Sequence, residues 1–538
     1  MGIVVGDAQT RSHSVRPTRT MRLLALVVVG MLVGVAVAGA RSVTGTAGND
    51  RLLGTPRADV MRGLAGHDQL IAGRGADFLQ GGPGRDTHDA GPGNDLIAAS
   101  YDGARDVVRC GPGLDVVNAD LPDVVASDCE LVGRRLSRDP YRTADAQHET
   151  QVEPDSFTFG RTTVATFQVG RRFDGAATNV GFAVTTNDGA SWRSGLLPGL
   201  TVASRPPGPN ARASDPVVAY DAAHAAWLIS TLALEGATTR LAINRSSDGF
   251  TWSNATPALE EGAAQGIAFD KNWAACDNTP SSPHYGRCYL LYTHSAGRDM
   301  LAVSWSDDGG LTWSIPVDIG ARPAVGIFPA IRPTGELVVV YLWEAGQFAI
   351  ASSRSTDGAA TWSAPVRIAS IDGGCAIRGF RAFSLPSAEV DGTGRVWAAW
   401  HDCESPGADG NAVFVATSPD GAQWSAPNAV TRGRDAVLPA IGIDAASGRV
   451  AIAYMRAKAT GIDVELTVSP GSSATWAAPR RLSAHSMPLR WMPDTTSGRM
   501  LGDYISVHYA LGRPLVVWAL ATEPVGSSLR QAIYATRG

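Results

Sequence analysis

The sequence predicts an all-β protein in two parts, a thin stack of nine-residue repeats followed by a ring of four-stranded blades. Three observations carry this. Aspartates recur at strict nine-residue spacing from Asp50 to Asp95. A short turn motif ending in tryptophan returns six times between Thr186 and Trp476. Among 538 residues, 60 are glycine and 32 are proline, which favours turns over long helices. The length exceeds one ordinary domain, and repeats of this kind bury a core only by stacking on their neighbours.

The first element is a targeting segment. Arg11, Arg16, Arg19 and Arg22 precede an apolar run from Leu23 to Ala38, and Ala38-Gly39-Ala40 has the small residues of a cleavage site. Residues 1–40 are therefore expected to be a signal peptide, with Met21 as a second possible start. An uncleaved anchor is the other reading, because the run approaches the shortest spanning length. Six cysteines fit an oxidising compartment. Pairing neighbours closes local loops and gives Cys110–Cys129, Cys276–Cys288 and Cys375–Cys403 as the expected disulfides. Nothing in their spacing resembles a zinc site. The net charge of −5, with mixed signs, leaves no basic patch for nucleic acid. Membrane contact is expected only through the N-terminal segment.

The second element runs from residue 41 to 133. Asp50, Asp59, Asp68, Asp77, Asp86 and Asp95 mark the repeat, which resumes at Asp106 and Asp115 after an insertion. Two residues after the aspartates stand Leu52, Met61, Leu70, Leu79, Ile97 and Val117, with His88 the exception. Stacking would make those side chains one continuous thin core. Glycines ahead of each aspartate permit turns that gather carbonyls and carboxylates around one cavity. An all-oxygen cavity suits a hard cation, calcium above all, and folding is expected to depend on it.

This pattern resembles the RTX, or haemolysin-type, calcium-binding nonapeptide repeat, which implies a parallel β-roll with those six aspartates at the metal. Arg57, Ala72 and Ala90 depart from the glycine positions of that repeat, so the edge sites are expected to be weak or empty. Cys110–Cys129 would cap the roll. Residues 134–151, polar and charged, are expected to be a linker.

The third element is residues 152–538. The turn motif reads TNDGASW at Thr186–Trp192, SSDGFTW at Ser246–Trp252, SDDGGLTW at Ser306–Trp313 and STDGAATW at Ser355–Trp362. It continues as SPDGAQW at Ser418–Trp424 and, without its aspartate, as SPGSSATW at Ser469–Trp476. The tryptophans recur every 49 to 62 residues, the size of one four-stranded blade. Aspartate and serine can hold backbone amides of a tight turn. Tryptophan then fills the space between blades. Counting strand triplets gives seven units, the last without its outer strand. A seven-bladed β-propeller closed by a strand from the N-terminal side is the expectation; a six-bladed ring is the alternative.

These turns resemble the Asp-box (BNR) repeats of sialidases, which implies a sialidase-like propeller. In that family a tyrosine nucleophile with a supporting glutamate, an aspartate acid/base and three arginines do the chemistry. The Arg-Ile-Pro motif that carries the first arginine is missing, since the first unit opens Glu153-Pro154-Asp155. Arg161, Arg378, Arg381, Arg456 and Arg499 are the arginines available for a clamp.

The first strand of each unit is expected to line the central channel. It carries Glu153, Asp155, Asp215, Asp270, Lys271, Glu389, Asp503 and Tyr504. Charges there need water, an ion or a ligand. The channel set Glu153, Asp155, Asp215, Asp270, Lys271, Asp503 and Tyr504 is therefore the candidate ligand site. The functional expectation is a secreted or cell-surface calcium-binding protein whose propeller binds a glycan, a cell-envelope component or another extracellular ligand. The alternatives are an exo-sialidase-type glycoside hydrolase and a non-catalytic structural protein of the cell surface.

Overall fold

The nine-residue repeats alternate between two parallel sheets. A computed structural model describes residues 40–261, 269–295, 299–344, 346–405, 410–470 and 475–538; the expected leader lies outside them except for Ala40. One roll sheet holds Arg41–Thr44, Asp59–Arg62, Phe78–Gln80, Leu96–Ala99 and Val116–Ala119. The other holds Arg51–Leu53, Gln69–Ile71, Thr87–Asp89, Val107–Arg109 and Val124–Val125. Met61 lies opposite Leu79 and Leu52 opposite Leu70, so each coil uses two repeats. The apolar position after each aspartate fills a core of Leu52, Met61, Leu70, Leu79, Ile97, Val108 and Val117. His88 occupies the same inward position, fully buried, with both ring nitrogens unpartnered. At Gly84, with φ of 147°, an added Cβ would lie 1.5 Å from the Gly66 carbonyl oxygen. Only glycine lets successive coils stack this closely there.

The remaining strands group, among the described residues, into seven antiparallel four-strand units. Their first strands are Gln151–Phe159, Arg212–Asp221, Phe269–Cys276, Ala324–Ile331, Ser387–Val390, Ala436–Ile443 and Ser506–Ala510. Each packs beside the next, and Ser506–Ala510 returns to Gln151–Phe159, so the blades close into a propeller ring. Blades one to six use consecutive strands. The seventh has Ser506–Ala510, Arg513–Val525 and Ser528–Arg537, and borrows its outer strand, Leu131–Arg135, from upstream. Gly133, Arg134 and Arg135 pair antiparallel with Thr536, Ala535 and Tyr534. The same strand pairs parallel with Val116–Ala119 of the roll. One nine-stranded sheet therefore passes from roll into ring.

The stretch expected to be a linker begins inside that shared strand and is then tied down. The Leu136 amide donates to the Ile533 carbonyl at 2.7 Å, and Gln147 Nε2 donates to the Asp494 carbonyl at 2.7 Å. No described helix is long and apolar enough to cross a membrane.

The tryptophan turns lie between the third and fourth strands of their blades. In blade two, Ser246 Oγ donates to Asp248 Oδ1 at 2.9 Å. That oxygen accepts the amides of Phe250 and Thr251 at 2.8 and 2.7 Å. Ser306–Asp308, Ser355–Asp357 and Ser418–Asp420 repeat the arrangement. Each turn also touches the preceding blade: a Cβ on Gly421 would lie 2.5 Å from Val338, and Trp424 Nε1 donates to Ser352 Oγ at 2.9 Å. The boxes are staples between blades. Residues 471–474 of the sixth lie outside the described residues. The three expected disulfides all form.

Candidate functional site

The channel mouth is built by a repeated irregularity. The first strands of blades one, two, three, four and six each break register near their start. A left-handed residue sits at each break: Glu153, Asp215, Lys271, Gly326 and Leu438, with φ of 53°, 46°, 47°, 68° and 52°. Such a bulge re-aims one side chain while the strand continues. It explains how neighbouring blades turn charged groups toward one end of the channel. Asp215, Lys271, Gly326, Leu385, Leu438, Asp503 and Tyr504 line a small cavity of about 40 Å³ there.

These groups form a connected network. Lys271 Nζ lies 2.6 Å from Asp503 Oδ2, and Arg381 grips the same carboxylate from its Nε and Nη2 at 2.7 and 2.5 Å. The Lys271 amide donates to Asp215 Oδ2 at 3.3 Å, and Ser214 Oγ donates to Asp215 Oδ1 at 3.0 Å. Gln168 Nε2 joins Ser214 Oγ at 3.0 Å and also donates to Glu153 Oε2. Tyr504 packs edge-on against Trp273, with ring centroids 5.3 Å apart, and its hydroxyl donates to the Pro216 carbonyl at 3.3 Å. Asp503 is 1% exposed and Glu153 is 2% exposed, so the charges are paired in a largely dry setting.

Burial sets the protonation states. It pushes the Glu153 carboxyl up to about 8, reinforced by Asp215 and Asp503. Burial alone would raise Asp503 too, but Lys271 and Arg381 outweigh it and hold that carboxyl well below the usual range. The Lys271 ammonium resists deprotonation, because Asp215, Asp503 and Glu153 overcome its desolvation. Burial and the surrounding carboxylates push the Tyr504 phenol well above its ordinary value.

Not every expected residue joins the mouth. Asp155 accepts the Val218 amide at 2.9 Å and, with Glu389 and His508, lines a second cavity further along the channel. Burial pushes both Asp155 and Glu389 up to about 7. Asp270 is exposed. Of the five arginines considered for a clamp, Arg381 alone, among the described residues, pairs with Asp503. Arg161 reaches Asp188 at 4.0 Å, Arg456 pairs with Glu465 at 3.1 Å, Arg499 donates to the Met492 carbonyl at 2.8 Å, and Arg378 is exposed. Gln168 had no sequence signal. Arg381 comes from the long connection between blades four and five, anchored by Cys375–Cys403 and by its own amide donating to Arg499 O at 2.8 Å.

The roll aspartates form a second constellation. Oδ1 of Asp68, Asp77, Asp86 and Asp95 accepts the amide of the aspartate one coil earlier, at 2.6 to 2.9 Å. Oδ2 of these four is buried without a partner. A Cβ on Gly63 would meet Asp68 Oδ2 at 2.2 Å and the Gly81 carbonyl at 2.6 Å, so carboxylate and carbonyl border one small space. Burial pushes Asp77, Asp86 and Asp95 up to about 6, 6 and 7. Orphaned carboxylate oxygens beside carbonyls fit a hard cation. Among the described residues no three acidic, histidine or cysteine side chains are grouped so as to hold a metal ion by themselves. Each cation would thus be held by one carboxylate per coil together with backbone carbonyls. Asp50 and Asp59 at the roll edge instead accept bonds from Thr46 and Thr55.

Comparison with known proteins agrees with this division. Residues 44–79 and 63–97 match the RTX calcium-binding nonapeptide repeat, and residues 161–389 match the BNR repeat-like domain. The roll thus carries RTX-type repeats, and a BNR repeat-like segment lies within the propeller. No curated protein matches it by sequence. Among solved structures it is similar to an ulvan lyase, at 12% identity over 74% of this chain and 98% of the other, with a TM-score of 0.47. It is also similar to an α-L-arabinanase of Penicillium chrysogenum, at 12% identity over 75% and 97%, with a TM-score of 0.41. A sialidase of Trypanosoma rangeli matches at 12% identity over 63% of this chain and 59% of the other, with a TM-score of 0.39.

Proposed function

We propose that this is an exported calcium-binding protein whose propeller binds a glycan or another polyol-rich extracellular ligand at the channel mouth. The carrying observation is the Glu153–Gln168–Ser214–Asp215–Lys271–Asp503–Arg381 network around Tyr504. Of it, Asp215, Lys271 and Asp503 line the cavity together with Trp273 and Tyr504, which gives acceptors, a donor and aromatic walls, the three kinds of contact a sugar needs. Calcium is held along the roll by Asp68, Asp77, Asp86 and Asp95, with Asp50 and Asp59 as weaker edge positions. When bound, the ion would offset the negative charge that burial disfavours on Asp77, Asp86 and Asp95. Three disulfides and RTX-type repeats support an extracellular setting.

Binding is favoured over hydrolysis because the groups a glycosidase would use are already committed. The Asp503 carboxylate is held by two cations, and the Tyr504 hydroxyl donates to a backbone carbonyl. A glycosidase also needs two carboxyls set for acid and nucleophile or base roles. One observation favours the hydrolase alternative: Glu153 is held near 8, the protonated state a general acid requires at neutral pH. The two readings part on one experiment, a glycan array alongside turnover of a fluorogenic sialoside and other aryl glycosides. Binding without turnover, lost in Lys271→Ala, is the expected result. Turnover abolished by Glu153→Gln would replace it with the hydrolase.

A further inference from the structure

We propose a second ligand site, for a carboxylate-bearing saccharide, in the cleft where the end of the roll meets the seventh blade. It lies apart from the channel. Its walls include Tyr101, Asp120, Arg135, Arg138, Glu149 and Arg530, contributed by the roll, the shared strand, the segment that follows it and the last blade's hairpin. The cavity has a volume of about 670 Å³, larger than that of the channel mouth.

The sequence marks this place. The nine-residue spacing of the roll stretches to eleven between Asp95 and Asp106, and Tyr101 sits in the inserted turn. There it adopts a left-handed φ of 85°, and it is 7% exposed with its hydroxyl buried and unpartnered. Two guanidiniums flank its ring: the Arg135 carbon lies 3.9 Å and the Arg530 carbon 5.6 Å from the centroid. Strain, burial and an unpaired hydroxyl at one residue are tolerated where surroundings over-determine it, and such positions cluster at functional sites.

The charge bookkeeping of the cleft gives the ligand's sign. Its carboxylates are mostly committed to backbone amides. Asp120 Oδ2 accepts the amides of Tyr101 and Gly103 at 2.9 and 2.8 Å, and Asp139 accepts those of Tyr141 and Glu149 at 2.9 Å each. Arg135, Arg138 and Arg530 are not so committed. Arg135 stands off from Asp120 and Glu149 at 3.6 and 3.7 Å, and its Nε is buried and unpartnered. Arg142, by contrast, donates to the Asp139 and Tyr141 carbonyls at 3.3 and 2.6 Å and stands 3.8 Å from Glu149. Among the described residues, Arg138 and Arg530 have no ion pair and their side chains donate no hydrogen bond, although Glu149 feels the field of Arg530. Uncommitted guanidiniums present a planar fork for a carboxylate. Glu149, part-exposed in the same lining, accepts a hydroxyl donor. Carboxylate plus hydroxyls is the chemistry of an acidic sugar.

The test is titration calorimetry of the calcium-loaded full chain with a galacturonic acid trisaccharide, its methyl ester, and sodium sulfate at equal ionic strength. The uronate is expected to bind, and the ester and sulfate to bind much more weakly. Arg530→Ala should weaken uronate binding by about tenfold or more, the loss expected for one charge-assisted contact. Arg432→Ala, at an exposed position elsewhere, should leave it unchanged. Equal affinity for uronate and ester, sulfate binding as tight as uronate, no uronate binding at millimolar concentration, or an unaffected Arg530→Ala would each overturn the proposal. Lys271→Ala separates the two sites: it is expected to abolish array binding at the channel and to leave uronate binding intact.

Discussion

Asp503 is the residue on which the channel mouth depends most. Two partly buried cations converge on this buried carboxylate, and replacing it strands both. Asp503→Ala is therefore expected to cost about 3–5 kcal/mol, the range for removing one partner of a buried ion pair; chemical denaturation measures it. Glu153 adds to a pH dependence it shares with Asp155 and Glu389. Its folded value of about 8 lies above its ordinary 4.5. The stability it contributes is full below about pH 4.5 and is lost as pH rises through about 8. The melting temperature should therefore fall between pH 5 and 9, and Glu153→Gln should flatten that slope. His88 is the third case: a fully buried imidazole without a partner in an otherwise apolar core. His88→Leu should stabilise the chain by about 1–3 kcal/mol, since an unsatisfied buried polar group is removed. An unchanged or lower melting temperature would contradict this. At this scale the sequence was informative where register carried the information. Glu153, Asp215, Lys271 and Asp503 were visible as polar residues at the start of inner strands. Arg381 could not be singled out, because a loop rather than a strand delivers it.

At the scale of the element, the tryptophan turns show how a repeated motif serves packing. The box aspartates bind amides of their own turn while glycine and tryptophan press on the blade before. Asp357→Ala, which removes bonds to Thr361 from an exposed turn, should cost about 1 kcal/mol and leave glycan binding untouched. Loss of binding at unchanged stability would show the rim to be part of the site. The boxes were legible because their chemistry is local: four residues suffice to specify the turn. The left-handed bulges were not. They depend on how each inner strand meets its partner, and residues as different as Glu153, Gly326 and Leu438 adopt them.

For the whole molecule, the roll and the ring share hydrogen bonds rather than merely touching. Stripping calcium with a chelator is expected to loosen the roll and, through Leu131–Arg135, the last blade. Trp518 reports on this, since its Nε1 donates at 2.9 Å to Thr536, the ladder partner of Gly133. Its fluorescence and the amide exchange of Ser528–Arg537 should change on chelation and recover with calcium; protection that stays constant would show the two parts to be uncoupled. The two-part architecture was evident from the repeat periods alone. The identity of the closing strand was hidden, because Leu-Val-Gly-Arg-Arg is short and follows a coil that already explains it.

That shared strand also bears on how such a protein can be assembled by recombination. A repeat module and a propeller look like separate cassettes, and a break near residue 140 is the obvious place to exchange them. Such a break would carry the outer strand of the seventh blade away with the donor. The recipient ring would then present Ser528–Arg537 as a bare edge, ready to pair with another molecule. A viable exchange has to cut upstream of Leu131, leaving the ring with a short stub of its former neighbour.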